Sequence, residues 1–381
     1  MSRNIADVVI VGAGIAGNSA AYYCAKKGLK VIVLEEEMIG HGGSSRNGGG
    51  ARVSGRDIRE MPLAIFATQN IWPFLKDELG VDPEYHQKGY LVCGYNEEHK
   101  KGIEKRIIDA AKMGIKMELL EGDEVKRKCK YVSEHVTVAG WTPTDGTANP
   151  LTATLGFYKR ARELGVQFTT GEKAVKINLC NGRARQVVTE KGNLYEGGKI
   201  IISAGYGGRK LLNTVGLDLP LFKRLVEVIV TEPIPFMFEH MIGGMSGFYG
   251  HQTEHGSFVF GDNSGRENCM AELEGIPSTS YNPSVICSHI GIDIPKLKEA
   301  KIIRSWAGWI DMSHDGVPIL GNLEEVPDLV IDIGSTGHGF CPGPAVGFTL
   351  AELANDDSPT VDISKLAYER FDMAKKQPQY Y

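Results

Sequence analysis

The residues best suited to chemistry stand near the start of the chain. Gly12-Ala13-Gly14-Ile15-Ala16-Gly17 lies directly after an apolar run, Val8 to Val11, and Glu35 closes a second apolar run, Val31 to Leu34. This glycine spacing suits a phosphate. Gly12 allows a tight turn, Gly14 has no Cβ to hold a pyrophosphate off the backbone, and Gly17 lets a following helix lie close to the strand. The first turn of that helix offers free N–H groups and partial positive charge. An acid about 20 residues further on can accept hydrogen bonds from a ribose diol; Glu35 takes that place, with Glu36 beside it. Together these features predict a dinucleotide site and leave open which dinucleotide binds.

Two further stretches carry candidate chemistry. Glu36 to Asp57 is rich in glycine and predicts no regular element. Its bare backbone in Asn47-Gly48-Gly49-Gly50 would permit close approach of a flat ligand. Ser44 and Ser45 could donate to phosphate, and Arg46 and Arg52 supply cations. Near the end, Leu329 to Ile333 reads as a strand, Gly334 to Pro344 as a glycine turn and Ala345 to Ala354 as a helix. That is a second strand–turn–helix unit, whose helix start again favours negative charge.

The elements that must position these residues follow from pattern. Val8 to Val11 and Val31 to Leu34 read as buried parallel strands. Ala20, Ala21, Cys24 and Ala25 share one face of the helix between them, which Gly28 closes. Pro62 suits a helix start and Pro73 predicts a kink. Helices are also expected over Glu97–Met113, Glu121–Cys129 and Leu151–Leu164. Strands are expected near Lys116–Leu120 and over Tyr90–Cys93, Val166–Thr169, Lys199–Ser203, Leu221–Thr231, Gly256–Gly261 and Ile302–Ile310. Asn181-Gly182, between Ala174–Leu179 and Arg183–Thr189, is a strong hairpin signal. Trp141 to Gly146 marks a crossing between domains, and Gly265 to Ser288 reads as irregular.

With 381 residues, two domains are expected. The fold class is α/β with an α+β insert. One domain, 1–82 + 147–217 + 308–381, carries the βαβ nucleotide site. The other, 83–146 + 218–307, is an inserted antiparallel sheet that serves as a substrate platform. At 42% hydrophobic and 23% charged the chain is an ordinary globular sequence. A net charge of −5 without a basic run argues against nucleic acid and anionic membranes. No run reaches the ~18 apolar residues of a membrane span, and the N-terminus does not read as a signal peptide. The seven cysteines are scattered and odd in number, without a CxxC pair. That suits reduced thiols in a cytoplasmic protein. No HExxH motif occurs, and no metal site is expected.

These stretches together resemble the D-amino-acid oxidase superfamily of FAD enzymes. The likeness is greatest to sarcosine oxidase β-subunit-like proteins and to the flavin subunits of opine oxidase and hydrogen cyanide synthase. It covers nearly the whole chain. VVIVGAGIAG with Glu35 resembles the adenosine–pyrophosphate site, GGSSRNGGGAR the flavin-contacting loop, and SAGYGG the second crossing beside FAD. GWIDMSHDGVPILG followed by STGHGFCPGPAVG resembles the C-terminal flavin signature. The resemblance implies a nucleotide domain of glutathione-reductase type. It implies that Gly12, Gly14 and Gly17, with Ile15 and Ala16 between them, hold the pyrophosphate, and that Glu35 and Glu36 lie at the ribose. Ser44, Ser45, Arg46, Asn47, Gly48 and Gly49 would line the phosphates and ring, Ala174 the adenine, and Ala204 and Gly205 would pack on the cofactor. Gly337, His338, Gly339 and Phe340 would lie at the pyrimidine edge, where a helix start stabilises the negative charge of reduced flavin.

Two departures bear on mechanism. Gly308 stands where monomeric sarcosine oxidases have the cysteine that tethers FAD, which implies non-covalent FAD. Cys341 stands where they have a lysine associated with oxygen activation. That favours a dehydrogenase passing electrons to a partner, with a packed thiol as the alternative role for Cys341. The family implies oxidation of the C–N bond of a secondary or D-amino acid of sarcosine, proline or opine type, by hydride transfer to flavin N5. Arg52 is then the candidate for the substrate carboxylate. His251, with Tyr249 and Gln252, is a candidate to face the ring, and His338 to act in the flavin turn. The resemblance leaves other readings open: a stand-alone peroxide-forming oxidase of glycine or sarcosine type, and a flavin subunit serving electron transfer within a hetero-oligomeric complex. A nicotinamide enzyme is disfavoured, because no second complete GxGxxG unit with a strand-end acid is present.

Overall fold

The computed structural model describes residues 4–262 and 281–371. Strand β1 (Asn4–Val11) leads through the glycine turn into α1 (Ile15–Lys26) and β2 (Val31–Glu35). The glycine-rich loop is not wholly irregular. It holds a 3-10 turn, Gly43–Ser45, and a two-residue strand, β3 (Gly50–Ala51). Helix α2 (Met61–Phe66) continues through a π-type turn at Ala67–Ile71 and a 3-10 turn at Trp72–Phe74 into α3 (Leu75–Leu79). Pro62 occupies the first turn of α2. Pro73 brings no N–H, so the regular ladder breaks where expected.

Next come β4 (Tyr90–Gly94), α4 (Glu97–Lys112), β5 (Glu118–Glu121), α5 (Asp123–Lys128) and β6 (Val138–Thr142). The chain then forms β7 (Gly146–Thr147), α6 (Pro150–Glu163), β8 (Gln167–Thr170), β9 (Ala174–Cys180), β10 (Arg183–Thr189), β11 (Leu194–Ile202) and α7 (Gly208–Asn213). The second half adds β12 (Leu221–Thr231), β13 (Met241–Gly244), β14 (Tyr249–Gln252), β15 (Phe258–Asp262), α8 (Tyr281–Asp293) and β16 (Ile302–Ser313). It closes with β17 (Ile319–Asn322), β18 (Leu329–Ile333) and α9 (Gly343–Ala354).

The first eight-stranded sheet runs β17-β18-β11-β1-β2-β8, with β10 joined to β11 and β9 to β10. β18, β11, β1, β2 and β8 are parallel neighbours. Alternation along β1 supplies both faces. Val8 and Ile10 join a core with α1 and α9, while Val9 and Val11 join a core with α7 and the hairpin. Helices α1 and α9 meet through glycine. A Cβ on Gly347 would fall 2.0 Å from Ser19 Oγ, and one on Gly343 would fall 2.6 Å from Ile15 Cγ2. The two strand–turn–helix units seen in the sequence are therefore near neighbours, with their helix starts side by side.

The second sheet has the order β16-β12-β15-β14-β13-β4-β6-β5. It differs from a purely antiparallel platform, because β13 and β4 pair parallel. It also takes 308–313 from the stretch assigned to the nucleotide domain, since β16 pairs with β12 as far as Ser313. Leu91, Cys93, Phe258 and Phe260 face a core that includes Ile286 and Ile290 of α8. Tyr90, Val92 and Met241 occupy the opposite face. Trp141 and Thr142 belong to β6, which the turn-rich reading of that segment did not anticipate. Of the stretch read as irregular, Tyr281 to Ser288 is helical in α8, and 265–280 lies outside the described residues. Six described cysteines are free; Cys269 lies outside them. Among the described residues no helix is long and apolar enough to cross a membrane.

Candidate active site

Gly12 has φ +104°, and a Cβ there would lie 2.2 Å from the Ser203 carbonyl oxygen. No L side chain fits, because both the backbone angle and the space exclude it. The Ser203 N–H donates to Val11 at 2.9 Å, so the crossing through Ala204 and Gly205 lies against the glycine turn. A Cβ on Gly17 would meet the Gly12 carbonyl oxygen at 2.0 Å. Gly14 serves the protein as well as a ligand. The space beside it admits Ser44, whose Oγ accepts the Ile15 N–H at 2.8 Å. Gly14, at the N-cap of α1, has no side chain to cap the helix, and helix geometry leaves the Ala16 and Gly17 N–H groups without intrahelical partners.

Glu35 stands at the tip of β2. Its carboxylate accepts N–H groups from Ala13 at 2.8 Å and Glu37 at 2.9 Å, and each oxygen keeps a further lone pair. Glu36 is exposed, with Lys173 3.6 Å away. The Glu172 N–H donates to the Glu35 carbonyl at 3.0 Å, which brings Ala174, at the start of β9, towards the same strand end. A strand-end acid, uncapped helix N–H groups and a glycine turn thus form one cradle.

The glycine loop turns out differently from its sequence reading. Asn47 is used internally: its side chain donates to Ser44 at 2.9 Å and accepts from the Gly49 N–H at 2.9 Å. The spaces over its glycines are filled largely by protein. A Cβ on Gly48 would meet Tyr249 at 3.2 Å, one on Gly49 the Ala148 carbonyl at 2.6 Å and His251 at 3.4 Å, and one on Gly50 Met241 at 3.0 Å. Tyr249 and His251 are two apart on β14, so they share one face and press together on the loop. The missing Cβ atoms here let the second sheet close on the first. Arg46 donates to the His41 carbonyl at 3.0 Å and the Ala307 carbonyl at 3.3 Å. Its stem covers Gly308, where a Cβ would lie 3.1 Å from Arg46 Cβ. Ser45, Arg46, Asn47, Gly48, Gly49, His251 and Trp306 line a cleft of about 850 Å³. Burial pushes His251 down to about 4, so its ring is neutral, and among the described residues Nδ1 has no hydrogen-bond partner. Gln252 is committed elsewhere, accepting from Met237 at 2.7 Å and donating to Gly256 at 2.9 Å.

At the second turn Gly337 has φ +76°. The His338 N–H donates to Ser335 at 2.8 Å, and its Nδ1 meets Glu60 Oε1 at 3.0 Å. Burial lowers the His338 pKa even though Glu60 opposes it. The neutral ring bonded to a carboxylate carries its proton on Nδ1. Glu60 also pairs with Arg56 at 3.3 Å, both wholly buried. Burial raises the Glu60 pKa, but Arg56 and His338 together hold it below the usual range. Phe340 packs edge-on to Trp72 at 5.2 Å, and the Trp72 indole N–H donates to the Cys341 carbonyl at 2.8 Å. Cys341 is fully buried with Ala51, Val53 and Met61, and burial pushes its thiol up to about 11. It is a packed, neutral thiol.

Arg52 follows β3. Its Nη1 donates to the Ser54 carbonyl at 2.5 Å, and it makes no ion pair among the described residues. Buried Asp145 turns away to the Val53 N–H at 2.7 Å and to the Ser54 hydroxyl. Sequence reasoning missed Arg56, Glu60 and Asp145 as site residues. The spacing of Arg56 and Glu60, four apart, was the available signal; nothing local marks Asp145. Among the described residues no cluster of His, Cys, Asp or Glu is arranged to hold a metal.

A nucleotide cradle of two glycine turns, facing a separate sheet, defines a dinucleotide-dependent enzyme. The chain belongs to the FAD dependent oxidoreductase family, whose model (DAO) matches residues 7–353. It is similar to sarcosine oxidase subunit beta of Rhizobium meliloti (strain 1021), 26% identical over 374 residues, spanning 96% of this chain and 88% of that protein. Among solved structures it resembles L-proline dehydrogenase from P. horikoshii, with a TM-score of 0.89 at 26% identity, covering 98% of this chain and 100% of that one. Glycine oxidase from Geobacillus kaustophilus shares the fold, with a TM-score of 0.88 at 18% identity, covering 97% of this chain and 99% of that one. The family implies a flavin cofactor. The cradle fits FAD, since it offers phosphate donors at α1 and a ribose acceptor at Glu35.

Proposed function

We propose that this enzyme oxidises the C–N bond of a secondary or D-amino acid using non-covalently held FAD. Gly12, Gly14, Ser44 and the start of α1 would hold the pyrophosphate, Glu35 the ribose, and Gly337 to Phe340 the ring end. Bound there, FAD supplies the two-electron acceptor. The arginine-sheathed Gly308 supports non-covalent attachment, because the place of a tethering side chain is filled by Arg46.

One observation carries the substrate reading: among the described residues the Arg52 guanidinium makes no ion pair, while the nearby acids Glu60 and Asp145 are held by other groups. A carboxylate matches its planar fork with two parallel bonds. Clamped there, the amino acid is fixed by one end while its C–N bond is held for reaction. Tyr249 packs over Gly48 and holds the second sheet against the loop. Neutral His251 and His338 present no positive charge to an incoming amine. Buried, neutral Cys341 brings no cation, which supports a dehydrogenase that hands electrons to a partner. The naming of one relative as a subunit supports a place in a hetero-oligomer.

The test is anaerobic bleaching of the bound flavin by sarcosine, glycine, D-alanine, D- and L-proline and iminodiacetate. Bleaching by at least one is expected, and silence from all would overturn the amino-acid reading. Rapid oxygen uptake by the reduced, isolated chain would overturn the partner reading and make it a stand-alone oxidase.

A further inference from the structure

We propose that the substrate is a dicarboxylic amino acid, with one carboxylate on Arg52 and the second on Arg106. This rests on the amino-acid reading above and narrows its substrate class. Arg106 lies on α4, three residues beyond Ile103, which packs on Gly94 and Gly140 of the second sheet. The two arginines come together around Gly55. A Cβ on Gly55 would lie 3.4 Å from Nη1 of Arg52 and 3.4 Å from Nη1 of Arg106, so the guanidinium groups stand within twice that distance of each other. The Tyr90 phenol lies within electrostatic reach of both.

The charges facing this pair are few. The cations are Arg52, Arg56 and Arg106, and the acids are Glu60 and Asp145. Glu60 is taken by Arg56 and His338. Asp145 is taken by Val53 and Ser54, and burial raises its pKa towards the neutral form. His338 is neutral. Arg106 makes no ion pair among the described residues, and burial together with Arg52 lowers its pKa. An arginine does not discharge itself in a protein, and two like charges in a half-buried place repel. A single carboxylate clasped by Arg52 leaves Arg106 without a partner. An amine flanked by two carboxylates, or an amino acid with a short acidic side chain, supplies one to each guanidinium.

The test has a binding arm and a turnover arm. In the binding arm, unreactive oxydiacetate and methoxyacetate are compared by thermal shift on the purified protein. Oxydiacetate is expected to stabilise more, and Arg106→Met to erase the difference. In the turnover arm, half-saturation for flavin reduction by iminodiacetate is expected to rise about 10-fold or more in Arg106→Met, the loss of one charged hydrogen-bonded pair. The loss for sarcosine, which has no second carboxylate, should be several-fold smaller, and Arg106→Lys, which keeps the charge, should recover part of the loss for iminodiacetate. Equal shifts by the two probes, or an equal loss for iminodiacetate and sarcosine, would overturn the proposal. Efficient reduction by sarcosine but not by iminodiacetate would overturn it while leaving amino-acid oxidation standing. Two-carboxylate binding without reduction by any amino acid would leave the paired arginine site standing and overturn amino-acid oxidation, and with it the assignment of the substrate.

Discussion

Two parts of one arginine cluster are treated in opposite ways. Arg56 is locked to Glu60, and Glu60 to His338, with Arg56 and Glu60 buried and His338 partly so. Arg52 and Arg106, which meet around Gly55, make no ion pair with a carboxylate among the described residues. The first group is satisfied and serves to hold the second glycine turn against the start of α2. The second is left without an ion pair, at a cost to the folded state, which is what the proposal that it receives a ligand accounts for.

Breaking the satisfied side should have the largest effect. Glu60→Gln leaves Arg56 buried without its partner and should lower stability by about 3–5 kcal/mol, read from the urea midpoint. If the loss is negligible, the two sides do not differ as described. A third kind of buried charge sharpens the contrast. Asp332 accepts from Ser203 at 2.9 Å and makes no ion pair among the described residues; burial, with Asp311 nearby, pushes it up to about 7 from 3.8. The folded chain then binds more protons than the unfolded chain between those values, so stability falls as pH rises through that window. Asp332→Asn should melt higher than the parent at pH 8 and match it near pH 4.

His338 gives a smaller effect of opposite sign. Its folded pKa lies below 6.5. The unfolded chain binds the extra proton, and stability should fall as pH drops from 6.5 through the folded value. His338→Gln should flatten that slope in melting curves between pH 7 and 5. The smallest stability effect belongs to the unsatisfied side. Arg106→Met, scored by urea midpoint, should stay within about 1 kcal/mol of the parent or gain slightly, because relieving repulsion offsets lost contacts. A loss as large as that of Glu60→Gln would mean that Arg106 is structural.

Much of the nucleotide sheet was legible because its signals are local. Val8 to Val11, Gly12 to Gly17 and Leu329 to Gly334 fix strands and turns through side-chain shape and backbone freedom within a few residues. The second sheet was less legible. β6, β13 and β14 are short, and Gly140, Gly243, Gly244 and Gly250 dilute their pattern. Their pairing, including the parallel step between β13 and β4, is set by neighbours distant in sequence.

The sequence by itself determined that a dinucleotide turn opens the chain and that a second glycine turn precedes its last long helix, because a positive φ or a vanished Cβ is written in the residue type. It also marked Arg52 as a cation in a glycine loop. Only the tertiary structure decided what those groups meet. It filled the spaces over Gly48, Gly49 and Gly50 with Tyr249, His251 and Met241. It buried Cys341 as an inert thiol, gave Glu60 to Arg56, and set Arg106 beside Arg52 with no ion pair to either among the described residues. Charge pairing depends on distance through space and on exclusion of water, and neither quantity is a property of any one stretch of chain.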